Sequence, residues 1–314
     1  MPDIPRTAGP YAGRTLILLN PQAGQQDPAR LRRRIGGAFA EHNTPFDLVT
    51  TEYAGHASEL AREAVALDYR AVAVCGGDGT LAEVATGLAG SDVPLAILPR
   101  GTGNQVAQNL GVPLALRKAI DVAIHGTPVS IDLGRIGDRA FMLVAGAGFD
   151  AAVMRSATRE LKERWGFGAY VYAAVKEALS AAPRRFRITA DGRDIEVDAV
   201  SVMVANVGEL FARWLPLRLP LAERPTGAWN DGLLDVVIVA PRNPQDMAAL
   251  LWQAAQRRLH GSDRFVHFQA RAITIDADPA IAVQIDGDPA GETPISMAVM
   301  KDALRVIVPT PRTL

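Results

Sequence analysis

Four short strand-like runs, each followed by a loop and then by residues at helical spacing, constrain this chain most. They are TLILL (15–19), FDLVT (46–50), AVAVC (71–75) and PLAIL (94–98). Such runs, four to eight residues long and bounded by turn residues, read as buried strands. Between the first two, Asp27-Pro28 reads as an N-cap followed by proline at the first helical position. Leu31, Ile35, Ala38 and Phe39 then recur on one helical face. ASELAREAVAL (57–67), LAEVATGL (81–88) and the segment from Pro113 to His125, closed by Gly126 as a C-cap, read as further helices. Strands separated by helices need right-handed crossovers and so form a parallel sheet. The first part of the chain is therefore expected to be a three-layer α/β domain.

Near residue 130 the pattern changes. VSIDLGRI and RAFMLVAGAGF are strand-like around the turn Gly137-Asp138, and FRITADGRDIEV is a hairpin with Asp191-Gly192 as its turn. DAVSVMVANV, LLDVVIVA, ARAITIDA and IAVQIDGD continue as strands, interrupted by helical segments near 151–181 and 244–260. This second part is expected to be a mainly antiparallel β domain. The expected division is 1–128 and 129–299, with the strand-like ALRVIVP in 300–314 free to return to either part.

Bulk properties bound the function. A length of 314 residues suits two domains of about 150 each. A net charge of -1 argues against a broad nucleic-acid surface. A single cysteine, Cys75, forbids an intrachain disulfide and suits a reducing compartment. The start, MPDIPRTAGPYAG, has no apolar signal core, and no uncharged apolar run reaches the ~18 residues that span a bilayer. The chain reads as cytoplasmic, with peripheral contact at the inner membrane surface left open.

The densest glycine group is GGDGT (76–80), set between AVAVC and a helix. A glycine turn there presents backbone N–H groups and a helix dipole to an anion, most often phosphate. It is no Walker A loop, because no Gly-Lys-Ser/Thr follows. LPRGTGNQVAQNLG (98–111) repeats the arrangement, and NPQAG (20–24) leaves the first strand. Parallel sheets bind ligands beyond the carboxyl ends of their strands, so all three loops would face one edge. Three such loops imply a nucleotide-phosphate site.

Taken in order, NPQAG, GGDGTLAEV, LPRGTGNQVAQNLG, VSIDLGRI, VAGAGFDAAV, WNDGLLDVVIV and IDGDP resemble the diacylglycerol kinase and sphingosine kinase family of ATP-dependent lipid kinases. The resemblance covers nearly the whole chain. It implies a nucleotide domain, a β-sandwich domain and an active site in the cleft between them. It also implies that Asn20, Pro21, Gln22, Ala23, Gly24 and Thr51 lie against ATP. Gly77, Asp78, Gly79, Thr80, Leu81, Ala82, Glu83 and Thr102 would hold its phosphates, with Asp78 linked to Mg²⁺. The IDGDP pair, Asp286 and Asp288, would supply the base for the acceptor hydroxyl, with the individual assignment open. Asn230, the carbonyl of Leu233 and Asp235 would form a structural Mg²⁺ loop. Asp132, in IDLG, reads equally as a cleft acid or as a structural cap.

Two positions depart from the family pattern. Ala82 stands where it usually has Asn, and Gln105 stands where it usually has Asp. The second change removes one negative charge from the metal and nucleotide region. The implied partner is a lipid at a membrane surface, and a homodimer is left open. RSATRELKERWGFGAYVYAAVKEAL (155–179) mixes basic and aromatic residues suited to an anionic interface, and FARWLPLRLPLA (211–222) suits a lid over an acyl chain. The rivals are an NAD kinase-like enzyme, which shares the Asp-Gly loop, and a non-catalytic nucleotide- or lipid-binding regulator.

Overall fold

The computed structural model describes residues 11–24, 27–148, 182–206, 209–211, 218–220, 229–255 and 264–310. The chain divides into two compact units. Unit 1 is Met1–Ile131 with Ala303–Leu314, and unit 2 is Asp132–Asp302.

Unit 1 is built on parallel strands β1 (Thr15–Leu19), β2 (Phe46–Thr50), β3 (Ala71–Gly76) and β4 (Leu95–Pro99), in the order β2-β1-β3-β4. Their registers align the carboxyl ends: Leu19 pairs with Thr50 and Cys75, and Gly76 with Pro99. Every residue of β1, β3 and β4 is buried, as strands covered on both faces require. Cys75 is one of them, and burial pushes its thiol up to about 12, so it behaves as a small apolar side chain.

The helices are α1 (Pro28–Glu41), α2 (His56–Ala66), α3 (Asp78–Leu88), α4 (Gln105–Asn109) and α5 (Leu116–His125). The Asp27 carboxylate accepts from the N–H groups of Ala29 and Arg30 at 3.1 and 3.2 Å, completing the expected N-cap. Leu31, Ile35 and Phe39 form the buried stripe of α1. Full burial of each such side chain is worth about 1.5–3 kcal/mol, and this docking outweighs the weak intrinsic stability of a short helix.

Among the described residues, the two sheets of unit 2 are built from antiparallel pairs. One of its sheets runs β14 (Phe265–Ala270), β13 (Leu234–Val239), β10 (Ser201–Ala205), β7 (Val144–Gly148), β16 (Ala282–Ile285), β17 (Asp288–Glu292). The other contains β9 (Arg193–Ala199), β8 (Arg184–Ala190), β15 (Ala272–Asp278) and the first part of β18 (Ile295–Val308). Alternation decides the faces: in β8, Phe186, Ile188 and Ala190 are buried while Arg185, Arg187 and Thr189 are exposed. Phe186 and Ile188 share one core with Val202, Val204, Val236, Ile238, Val283 and Ile285 from the facing sheet, which makes unit 2 a sandwich. β5 (Thr127–Ile136) and β6 (Arg139–Phe141) pair around Gly137-Asp138.

ALRVIV falls at the end of β18, where Val306 pairs in parallel with Leu95, so it completes the sheet of unit 1. The helix expected near 244–260 is present as α6 (Pro244–Ala255); residues 256–263 lie outside the described residues. The basic and aromatic stretch 155–179 also lies outside them. FARWLPLRLPLA is described only at Phe211 and Arg218–Pro220, the ends of a short ladder formed by β11 (Glu209–Phe211) and β12 (Arg218–Pro220). Among the described residues, no helix is long and apolar enough to cross a membrane.

Candidate functional site

The loops that follow β1, β2, β3 and β4 all leave the same edge of the unit 1 sheet, because the strand ends are in register. Asn20 opens the first loop. Its Nδ2 donates to Thr80 Oγ1 at 2.8 Å and its Oδ1 accepts from Gln22 N–H at 2.9 Å, tying NPQAG to GGDGT. Arg100 braces the same loops from the other side. Its N–H donates to Gly76 O at 2.8 Å and its Nη2 to Ala23 O at 2.9 Å. On the Asn20–Thr80 side, towards the loop after β2, opens a cleft of about 210 Å³. Of the residues expected at a nucleotide, Asn20, Pro21, Gln22, Thr51, Thr80 and Glu83 line it. Glu52, Tyr53 and Ala54 line it too, and the sequence reading passed over them because they sit in a short loop without glycine until Gly55. Leu81 is buried on the core face of α3, Ala82 is half-buried and Thr102 is exposed.

The two glycine loops touch through their backbones. A Cβ on Gly101 would lie 2.7 Å from Gly77 Cα, and one on Gly77 would lie 3.1 Å from Gly101 Cα. A side chain at Gly101 would force the backbones apart, and one at Gly77 would press on its neighbour. Asp78, the first residue of α3, spans the same gap. Its carboxylate accepts from Gln105 N–H and Val106 N–H, both at 3.1 Å, and so caps α4. Burial pushes the Asp78 carboxyl up, and these N–H donors pull it partly back. Asn104 holds the second loop closed. It is buried with φ 48°, accepts from Gly101 N–H at 2.7 Å and donates to Gly101 O at 2.7 Å. Gln105 therefore delivers its backbone N–H to Asp78, while its side chain comes within 3.5 Å of where a Cβ on Gly103 would stand.

In unit 2 the IDGDP segment forms the turn between β16 and β17, with Asp286 at φ 48° and Gly287 at φ 94°. The first carboxylate of this turn is heavily engaged. Asp286 accepts from the N–H groups of Met142 at 2.8 Å and of Leu143 and Val144 at 2.9 Å. Asp288, two residues on, is exposed at the start of β17. The same Asp-Gly-Asp thus separates a fixed carboxylate from a solvent-facing one.

Asp132 is buried, and each of its oxygens takes one backbone donor: Asp302 N–H at 2.7 Å and Gly232 N–H at 2.6 Å. Of its two readings, the capping one describes these contacts. Asn206, which no sequence pattern marked, donates to Asp132 O at 2.8 Å and Met142 O at 3.2 Å. It joins the segment held by Asp286 to Asp132, which in turn accepts from Gly232 in the loop that carries Asn230. In that loop Asn230 is exposed, Leu233 N–H donates to Asp231 Oδ1 at 3.0 Å, and Asp235 is fully buried on β13. His267 Nε2 and Gln269 Nε2, from β14, approach Asp235 Oδ1 at 2.9 and 3.1 Å. Among the described residues, no group of three or more His, Cys, Asp or Glu gathers as a metal cluster. Of Asn230, Leu233 and Asp235, the residues expected at a cation loop, only Asp235 is an acid.

Comparison with known proteins places these features. The diacylglycerol kinase catalytic domain family matches residues 14–136, and the YegS C-terminal NAD kinase beta sandwich-like domain family matches residues 143–308. An uncharacterised protein of Synechocystis is 26% identical over 74% of this chain, which spans 54% of that longer protein. A diacylglycerol kinase of Mycobacterium tuberculosis is 30% identical, over 95% of this chain and 96% of the relative. The crystal structure of a diacylglycerol kinase from Bacillus anthracis str. Sterne superposes with a TM-score of 0.72, covering 96% of this chain and 98% of that one at 22% identity, a likeness of fold. With both of its units matched in order, the chain belongs to the diacylglycerol kinase family of lipid kinases.

Proposed function

We propose that this protein transfers the γ-phosphate of ATP, with Mg²⁺, to a hydroxyl of a lipid such as diacylglycerol, phosphatidylglycerol or a sphingoid base. The observation that carries the reading is the mutual locking of three loops at one edge of the unit 1 sheet, beside a cleft that Asn20 and Thr80 line. Asn20 reaches Thr80, Gly77 abuts Gly101, and Asp78 caps α4. Phosphoryl transfer asks for positioned donors more than for covalent chemistry, and a preformed set of loops supplies them without reorganisation. Asn20, Gln22, Thr51, Thr80 and Glu83 would contact the nucleotide, and the start of α3 would face its phosphates.

Asp288 would act as the base. The acceptor oxygen attacks the γ-phosphorus, the bond to the β–γ bridging oxygen breaks, and the hydroxyl proton passes to the Asp288 carboxylate. Asp286 would set the position of that turn rather than take the proton, since its oxygens already accept three N–H groups. Asn230, Leu233 and Asp235 offer the oxygen donors a hard cation prefers, and the contacts from His267 and Gln269 would orient the Asp235 carboxylate. Bound Mg²⁺ offsets phosphate charge. A lipid acceptor would be met at a membrane surface, which suits a cytoplasmic enzyme with peripheral contact at the inner membrane.

The test is transfer of labelled γ-phosphate from Mg-ATP to a detergent-dispersed lipid extract, with NAD as a parallel acceptor. Label in a lipid that drops by about a hundredfold or more in Asp288→Asn supports the reading. Label in NAD alone would move the protein to the rival enzyme class. Nucleotide binding without label in either acceptor would favour a regulator.

A further inference from the structure

One wall of the cleft of unit 1 carries an aromatic side chain that is not part of the core. Tyr53 is 55% exposed, whereas the phenylalanines Phe39, Phe141 and Phe186 are fully buried. Its ring is held in place all the same. It lies parallel to the His56 imidazole, with centroids 4.5 Å apart and planes 5° from parallel. The phenol donates to Glu59 Oε2 at 2.6 Å, and His56 Nδ1 in turn accepts from Glu52 N–H at 3.1 Å. Two neighbours therefore fix the plane of an exposed ring whose one face His56 covers. Tyr53 lines the cleft with Asn20, Thr51 and Thr80.

We propose that Tyr53, set by His56 and Glu59, is the platform on which the base of the bound nucleotide stacks. The inference rests on the reading of this cleft as a nucleotide site. A flat, preoriented ring offers a π-face to any base without hydrogen-bond discrimination, and the larger purines gain more contact than pyrimidines. The spacing suits it. Tyr53 follows β2, which lies two strands, roughly 10 Å, from β3 and its GGDGT loop. That leaves the length of a ribose and phosphates between ring and loop. The hydrogen bond to Glu59, with burial second, pushes the phenol up from its ordinary value, which keeps the platform uncharged at neutral pH.

The experiment is calorimetric titration with ATP, CTP and inorganic tripolyphosphate in the presence of Mg²⁺, for wild type, Tyr53→Ala and Tyr53→Phe. Because the side chain is exposed, both variants should melt with the wild type. The expected result is a rise of about tenfold in the ATP Kd for Tyr53→Ala, the order of one base–aromatic stack, with tripolyphosphate binding unchanged. Tyr53→Phe should stay within about threefold of wild type, and the preference for ATP over CTP should shrink in the alanine variant. ATP binding equal in wild type and Tyr53→Ala overturns the stack and leaves the nucleotide reading standing. Parallel loss of ATP and tripolyphosphate also overturns it, since the ring would then only be shaping the loop. A wild type that binds neither overturns both.

Discussion

In unit 1, Gly77 and Gly101 are needed because two backbones approach until a Cβ on one would lie 2.7 Å from the other's Cα. In unit 2, Asp286 and Gly287 are needed because the chain must turn with φ of 48° and 94°. The same residue types meet different demands, space in one unit and conformation in the other. The carboxylates follow a common rule across that divide. Asp78 and Asp286 each accept backbone N–H groups from a segment distant in sequence and fix it. An acid in a glycine-rich loop is thus as much a fastener as a reagent. Asp288, beside that engaged neighbour, is instead exposed to solvent.

Four substitutions break or sharpen this contrast. Asp286→Ala strips three N–H groups of their acceptor and is expected to cost about 3 kcal/mol in urea unfolding. Asp288→Ala in the same assay should cost less than about 0.5 kcal/mol. Equal costs would erase the distinction between fastener and reagent. Gly101→Ala should drop kcat/KM by about a hundredfold, because the shifted loop misplaces the donors on Asp78. Gly192→Ala meets no atom within 4 Å but sits at φ 79°, so it should cost about 1 kcal/mol of stability and leave activity intact. A stability loss larger than that of Gly101→Ala would show conformation mattering more than space.

The smallest effect is expected at Arg14–Asp47, a half-exposed pair 2.7 Å apart. The hydrogen bond from Arg14 lowers the Asp47 carboxyl, with burial opposing it. Its contribution is therefore present above the ordinary value of 3.8 and lost as pH falls through the lowered one. Asp47→Asn should lower Tm by about a degree at pH 7, and that difference should vanish as the solution is acidified below 3.8. A difference that persists in acid would mean packing, not charge.

What could be read from the sequence was local. The Asp27 cap, the apolar stripe of α1, the Asp191-Gly192 turn and the strand-to-glycine loops are each specified within a few residues, and each is present. What could not be read depends on register between distant segments. Nothing near Asp132 says that Gly232 and Asp302 will donate to it. Nothing near Asp235 points to His267 and Gln269, two positions apart on β14 and so on one face. Asn206 sits at the end of an ordinary strand run and makes its contacts only once β10 and β7 are paired. The difference in surroundings between Asp286 and Asp288 belongs to this second class, since both look alike until the N–H groups of 142–144 are brought in.

The pairing of Val306 with Leu95 bears on how the chain is made. Translation delivers β1 to β4 before the sandwich, and the strand that pairs with β4 only after it. Until then Leu95–Pro99 is a sheet edge with a row of backbone groups facing solvent, the arrangement most open to pairing with a neighbouring chain. The nascent α/β unit is therefore exposed to self-association throughout synthesis of the sandwich. A ribosome stalled before Ala303 would display an α/β unit that lacks its closing strand.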